Sequence, residues 1–303
     1  MSEHDQLWRF LFEDAPLRGH WVRLADTWRE ARAHQQLPAP VQELLGEALA
    51  AAGLLAGSLK FDGTLTLQLQ GGNGLVSMLV AQATSEHTLR GVAHVRQEQG
   101  ADTQSLDDFT ALVGDGQLII SIERGPDTAP WQGIVSLAGR SLAACLERYF
   151  EVSEQIPTRV ILAADDARAA GIFLQKLPGP ANQGEAAEAR LQDLWDEARV
   201  LLATVKQDEL LASEPEALLG KVFADHDLRL FQGSAVRFAC RCGRERVATM
   251  LQSMGREEIE SIIAEQGAVT VTCEFCQRPY VFDAVDAARL FVALPVDPPG
   301  SVN

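Results

Sequence analysis

Leu65, Leu67 and Leu69 alternate with polar residues along Thr64 to Gln70, the period-two pattern of a half-buried β-strand. The cluster Gly71-Gly72-Asn73-Gly74 marks a turn into the apolar run Leu75 to Val80. Gly114-Asp115-Gly116 introduces Leu118 to Ile122 in the same way, so these neighbours read as antiparallel strands. The period becomes helical from Val41 to Ser58. It does so again from Ser141 to Phe150, where Leu142, Cys145, Leu146 and Tyr149 fall at i, i+3, i+4 and i+7. Two more strands, Thr158 to Ala163 and Gly171 to Leu177, stop at the breaker Pro178-Gly179-Pro180. Strands and helices in mixed order predict an α+β N-terminal domain.

Past the breaker and the polar Asn182-Gln183-Gly184, Glu185 to Val205 is strongly amphipathic. Leu191, Leu194, Trp195, Ala198, Leu201, Leu202 and Val205 share one face, and Glu188, Asp193, Asp196, Glu197 and Arg199 lie elsewhere. Such a face needs cover, and the sheet of the N-terminal domain is the expected surface; the docking face is assigned to Leu191, Leu194, Trp195, Leu201, Leu202 and Val205. Ser213 with Glu216 forms a capping-box pattern that predicts a second helix through Leu218, Leu219, Val222 and Phe223. The resulting division is 1–182 for the α+β domain, 183–232 for a helical linker, 233–291 for a small cysteine module and 292–303 for a Pro-rich, disordered tail.

A chain of 303 residues exceeds the usual extent of one hydrophobic core, in keeping with this division. The net charge of −16 repels phosphate backbones and anionic headgroups, which argues against nucleic acid and membrane as partners. The acidic start, Met1-Ser2-Glu3-His4-Asp5, does not read as a secretory signal, and the run Ala48 to Leu59 is too short and too interrupted to span a bilayer; a cytoplasmic protein is expected. Gly72 and Gly74 begin a Gly-x-Gly, but Ser77 replaces the third glycine, and no nucleophile elbow, phosphate loop or His-Glu-x-x-His is present. The six histidines lack metal-ligand spacing. Nothing nominates an active site, and the chain is not expected to be an enzyme.

Four of the five cysteines form two close pairs, Cys240-Arg241-Cys242 and Cys273-Glu274-Phe275-Cys276, separated by Gly243 to Thr272. In a reducing compartment such clustering favours metal over disulfides. Four thiolates suit one tetrahedral Zn²⁺ at about 2.3 Å and leave no open position for catalytic water. The segment between the pairs carries two short helical patterns, Glu245 to Met254 and Glu257 to Gln266, with Val247, Leu251, Ile259, Ile262 and Ile263 as its apolar set. A module this small has too little core to be secure alone, so metal would supply much of its folding free energy. The spacing is compatible with a permanently reduced structural zinc and with a redox switch. The Cys-x-Cys half favours the switch, because each thiolate has a partner at hand once an oxidant makes a sulfenic acid, and oxidation would eject the metal. Arg237, Arg241, Arg244, Arg246 and Arg278 crowd the ligands in sequence and would favour thiolate, although a solvated face explains any one of them. Cys145, on an apolar helical stripe, reads as an inert core residue.

The whole chain resembles the 33-kilodalton heat-shock protein family of redox-regulated holdase chaperones. The resemblance is carried by Leu17-Arg18-Gly19 with Val22-Arg23-Leu24, Leu59-Lys60-Phe61-Asp62-Gly63 running into Thr66-Leu67-Gln68-Leu69-Gln70-Gly71, and Leu89-Arg90-Gly91-Val92-Ala93. Further matches are Ser153-Glu154-Gln155-Ile156-Pro157-Thr158, Ala170-Gly171-Ile172-Phe173-Leu174-Gln175, and Phe238-Ala239-Cys240-Arg241-Cys242 with Arg244-Glu245-Arg246. Cys273-Glu274-Phe275-Cys276 with Tyr280 and Phe282 completes them. The resemblance implies an ATP-independent chaperone, silent while reduced and zinc-bound. Oxidation would pair Cys240 with Cys242 and Cys273 with Cys276, release zinc, unfold module and linker, and yield a homodimer that holds unfolding client proteins. Gly243 departs from the pattern, standing where serine is expected.

Two other functions fit parts of the sequence. A zinc-ribbon nucleic-acid factor would need a basic stripe with interleaved aromatics, which the acidic chain lacks. A thiol-disulfide exchange enzyme built on Cys273 and Cys276 would place that pair at a helix start after a strand, whereas proline and aromatic residues follow here.

Overall fold

The computed structural model describes residues 5–96, 108–125, 128–179 and 184–291. They fall in two compact units, Met1–Ala239 and Cys240–Asn303. The tail expected at 292–303 lies outside the described residues, as do 180–183, where the first boundary was placed.

The first unit is organised by α2 (Ala39–Ser58), whose residues from Leu44 to Ala56 are nearly all buried. A helix this apolar on every side belongs inside a core. On one side it meets an antiparallel sheet in the order β10-β1-β2-β9-β8, formed by β1 (Gln6–Phe12), β2 (Leu17–Leu24), β8 (Thr158–Ala164), β9 (Ala169–Lys176) and β10 (Leu228–Leu230), with β11 (Ser234–Ala235) also on β1. On the other it meets β12-β5-β4-β3-β6-β7, formed by β3 (Thr64–Gln70), β4 (Val76–Thr84), β5 (Thr88–Val95), β6 (Gln117–Glu123), β7 (Trp131–Ser136) and β12 (Arg237–Phe238). Leu65, Leu67 and Leu69 of β3 are fully buried, as their alternation predicts. The glycine cluster after β3 is a turn packed backbone to backbone against the next one. Gly72 N–H donates to the Val113 carbonyl, and a Cβ on Gly72 would stand 2.3 Å from the Asp115 carbonyl oxygen, so only glycine fits. The strands that the two turns introduce, β4 and β6, are both antiparallel neighbours of β3.

β1 and β2 escape a period-two search because the sheet they belong to is covered on both faces. Val22, Leu24 and Phe173 join the core with α2, while Trp8, Phe10, Phe12, Trp21, Ile172 and Leu174 face the opposite way into a second core. That second core is closed by α5 (Glu185–Leu202), α6 (Gln207–Ala212) and α7 (Pro215–Val222). The Ser213 capping box is not formed. Ser213 is the C-cap of α6, and α7 starts at Pro215, whose fixed φ suits the first helical position. The Glu214 carboxylate instead pairs with Arg23 at 2.6 Å. Helix α4 (Leu142–Tyr149) begins at Ser141, whose hydroxyl accepts from the Ala144 N–H, and it buries Cys145.

His20 on β2 is buried, and its Nδ1 has no hydrogen-bond partner among the described residues. Burial first, then Arg18 and Arg9, hold its imidazole down at about 3. A base depressed in the fold contributes stability that is complete above its unfolded value of ~6.5 and is lost as pH falls toward the folded one. Denaturation between roughly pH 7 and 4 should show an acid limb steeper by up to about 1.4 kcal/mol per pH unit in the parent than in His20→Gln. Equal limbs would remove His20 as its source.

The second unit comprises α8 (Arg244–Met254), α9 (Arg256–Gln266), the hairpin β13 (Val269–Thr272) and β14 (Pro279–Phe282), and α10 (Ala284–Leu290). Its buried core is small: Leu251, Ile259, Val269, Tyr280, Phe282 and Ala287, with Val247, Ile262 and Ile263 partly buried around it. Among the described residues no helix is long and apolar enough to cross a membrane.

Candidate metal centre

Cys273 and Cys276 occupy the turn between β13 and β14. The Cys273 N–H donates to the Arg278 carbonyl and the Gln277 N–H to the Cys273 carbonyl, and Gln277 closes the turn with φ of 54°. Cys240 and Cys242 lie just before α8, whose N-cap is Gly243 with no side-chain cap bond. The backbone there is extended, with φ of −165°, and nothing lies within 4 Å of where a Cβ would be. The serine expected at this position would fit, and its absence leaves the helix start without a hydroxyl acceptor.

The two segments bring all four Sγ atoms within 4.8 Å of one another, each residue half-buried. Cys240 and Cys273 approach to 3.5 Å and Cys242 and Cys276 to 3.4 Å. A tetrahedron with Zn–S of about 2.3 Å has edges of about 3.8 Å, inside the range these sulfurs span. The electrostatics argue for a cation. Burial opposes ionisation of Cys242, but hydrogen bonds from the Tyr280 hydroxyl and from the other thiols outweigh it and bring that thiol down to about 7. Burial pushes Cys276 up to about 12, reinforced by the hydrogen bonds of its neighbouring thiols, and burial also raises Cys273. Hydrogen bonds therefore favour the Cys242 thiolate, whereas Cys273 and Cys276 need a positive centre to ionise. An all-sulfur donor set selects a soft or borderline metal.

Of the arginines near the cysteines in sequence, most are engaged elsewhere. Arg237 pairs with Glu86 at 3.8 Å, and Arg244 pairs with Asp286 at 2.6 Å and lies over the Phe282 ring at 4.1 Å. Arg246 donates to the Arg241 carbonyl. The charge of Arg278 acts on Tyr280, Cys242 and Cys276. Tyr280, whose hydroxyl donates to Cys242 Sγ at 3.1 Å, was not assigned to the site from sequence. Its signal was the alternation of Tyr280 and Phe282, both buried on one face of a four-residue strand. Cys145 lies in the core of the first unit, and burial raises its thiol. The pair Cys273 and Cys276 sits in a hairpin turn, not at a helix start, which removes the geometry of an exchange enzyme.

The residues assigned to the docking face are all on the second core of the first unit. Leu191, Trp195, Leu202 and Val205 are buried there and Leu194 and Leu201 partly so. Val205 lies beyond the end of α5.

A family model described as Hsp33 protein matches residues 5–283. A 33 kDa chaperonin of Nitrosococcus oceani is 43% identical over 291 residues, covering 96% of each chain. One of Ectopseudomonas mendocina is 42% identical over 297 residues, covering 97% of this chain and 98% of its own. The crystal structure of the 33 kDa chaperonin from Thermotoga maritima superposes with a TM-score of 0.80 at 26% identity, covering 95% of this chain and 98% of that one.

Proposed function

The chain belongs to the Hsp33 family and is a chaperone that binds client proteins, not an enzyme; on that premise we propose that it is an ATP-independent holdase governed by oxidation of a zinc site. The observation that carries this reading is four thiols within 4.8 Å in a unit with only a small core of its own. Zn²⁺, one per chain, would be held by Cys240, Cys242, Cys273 and Cys276 in the reduced protein, which is silent. Its role there is to fix the two segments that carry the ligands.

In this proposal the client-binding domain is 1–182, the linker 183–232, and the zinc-binding switch 233–291. Peroxide oxidises one thiolate to a sulfenic acid and its partner displaces hydroxide, so two thiolates are consumed for each disulfide. Cross-pair sulfurs are in contact at rest, yet the disulfides expected are Cys240 with Cys242 and Cys273 with Cys276. Once ligation is lost the segments separate, and closing a loop of three or four residues is faster than closing one that spans α8 and α9. The unit and linker then unfold, the oxidised protein forms a homodimer, and apolar surface is bared to clients in the cytoplasm. Neither nucleic acid nor membrane is a partner in this scheme.

The test follows aggregation of a thermally unfolding client with protein that is reduced and zinc-loaded, then peroxide-treated, with peptide mapping of both forms. Suppression only after treatment, one zinc per chain before it and local disulfides after it are the expected results. Equal suppression by both forms, or disulfides mainly between the two pairs, would contradict the switch.

A further inference from the structure

Tyr280 is set against Cys242 by the hairpin register. Its partner across the ladder is Val271, two residues before Cys273, so the strand that carries the ring is fixed to the strand that leads into the second cysteine pair. The ring is buried in the core of the unit with Leu251, Ile259 and Phe282. A buried tyrosine hydroxyl needs a partner, and this one finds Cys242 Sγ at 3.1 Å. The hydroxyl is the donor of this bond, since a thiolate carries no proton, and the positive charge of Arg278 acts on the same hydroxyl and on Cys242.

We infer that Tyr280 is a positioning residue of the zinc site: its hydroxyl, by donating to Cys242 Sγ, withdraws charge from that thiolate and so raises both the retention of metal and the amount of peroxide needed to oxidise the site. This rests on the zinc-switch reading and adds to it the group that sets the threshold. A metal-bound thiolate still carries a lone pair, and oxidation begins when that pair attacks the peroxide O–O bond. Two electrons pass from sulfur to peroxide, giving a sulfenic acid and hydroxide. A second thiolate then attacks the sulfenic sulfur, forming the S–S bond and releasing the second hydroxide. A hydrogen bond donated to sulfur lowers the energy of that lone pair, and nucleophilicity falls with it. The same bond spreads the negative charge of four thiolates gathered about one divalent ion, which outer-shell partners do at other metal sites.

The experiment uses the full-length reduced, zinc-loaded protein and Tyr280→Phe, which keeps the buried ring and removes one oxygen. Two quantities are read with a chromogenic chelator: the equilibrium loss of zinc to the chelator without oxidant, and the rate of zinc release on addition of hydrogen peroxide. The variant should lose zinc at about tenfold lower chelator concentration and release it severalfold faster with peroxide. Arg278→Gln, which leaves the core untouched, should shift both in the same direction by a smaller factor, and it decides the matter if Tyr280→Phe does not load with metal. Values within twofold of the parent in both measurements would overturn the inference. A parent that keeps zinc through peroxide while Tyr280→Phe yields it more readily to chelator would sink the redox switch and leave the Tyr280 contact standing.

Discussion

Replacing Leu194 and Trp195 together with alanine is expected to produce a chaperone that suppresses client aggregation without any oxidant. Trp195 is only 5% exposed against the outer face of the first sheet, and Leu194 is partly buried beside it. Truncating a buried tryptophan costs about 3–5 kcal/mol and the half-buried leucine adds about 1–2, less whatever the two share as neighbours. Losses of that size approach the whole stability of a typical domain, and they fall on the contact between α5 and the sheet. The core with α2 on the other face is untouched, because Val22, Leu24 and Phe173 point there. The four cysteines lie in the other unit, so metal content should be unchanged. Release of α5 would bare two complementary apolar surfaces, its own face and that of Trp8, Phe10, Trp21 and Ile172. Aggregation of an unfolding client, measured with zinc-loaded protein under reducing conditions, checks this. A variant that is folded, zinc-bound and as silent as the parent would show that docking of α5 does not restrain the chaperone.

Stripping the metal under reducing conditions should unfold the second unit while leaving the first intact. Among the described residues six buried ones form its core, and α8 and α9 leave long stretches exposed: Leu251 is the buried residue of α8 and Ile259 that of α9. Structural zinc supplies about 10–16 kcal/mol of folding free energy in comparable small modules, more than such a core can replace. Amide exchange would locate the loss. Protection within 244–266 should vanish on chelation, whereas the strands β3 to β6 keep theirs, and the quadruple Cys→Ser variant should resemble the chelated parent. Retained protection in 244–266 without metal would mean that the hairpin and helices hold the site, and loss of metal would then not trigger unfolding.

Much of this was legible in the sequence wherever a local pattern had one physical cause. The second sheet has its buried face on α2, and its strands alternate, so β3 and β6 stand out from Leu65, Leu67, Leu69 and from Leu118, Ile120, Ile122. The amphipathic face of α5 announced that it covers something, and the four-cysteine spacing announced soft ligands for one ion. What the local pattern lacked was any sign of two-sided burial. In β2 nearly every residue is buried, because α2 lies on one face and α5 to α7 on the other, so period-two contrast disappears and the strand merges with its surroundings. The start of α7 was misread at Ser213 because a capping box competes with proline at the first helical position, and the proline won. The sequence alone determined that four cysteines stand in two close pairs able to offer thiol ligands to one ion, since this rests on spacing along the chain. Only the tertiary structure decided which sheet and which of its faces α5 to α7 close and that Tyr280 meets Cys242, because each depends on strand register and on which of two faces a side chain occupies.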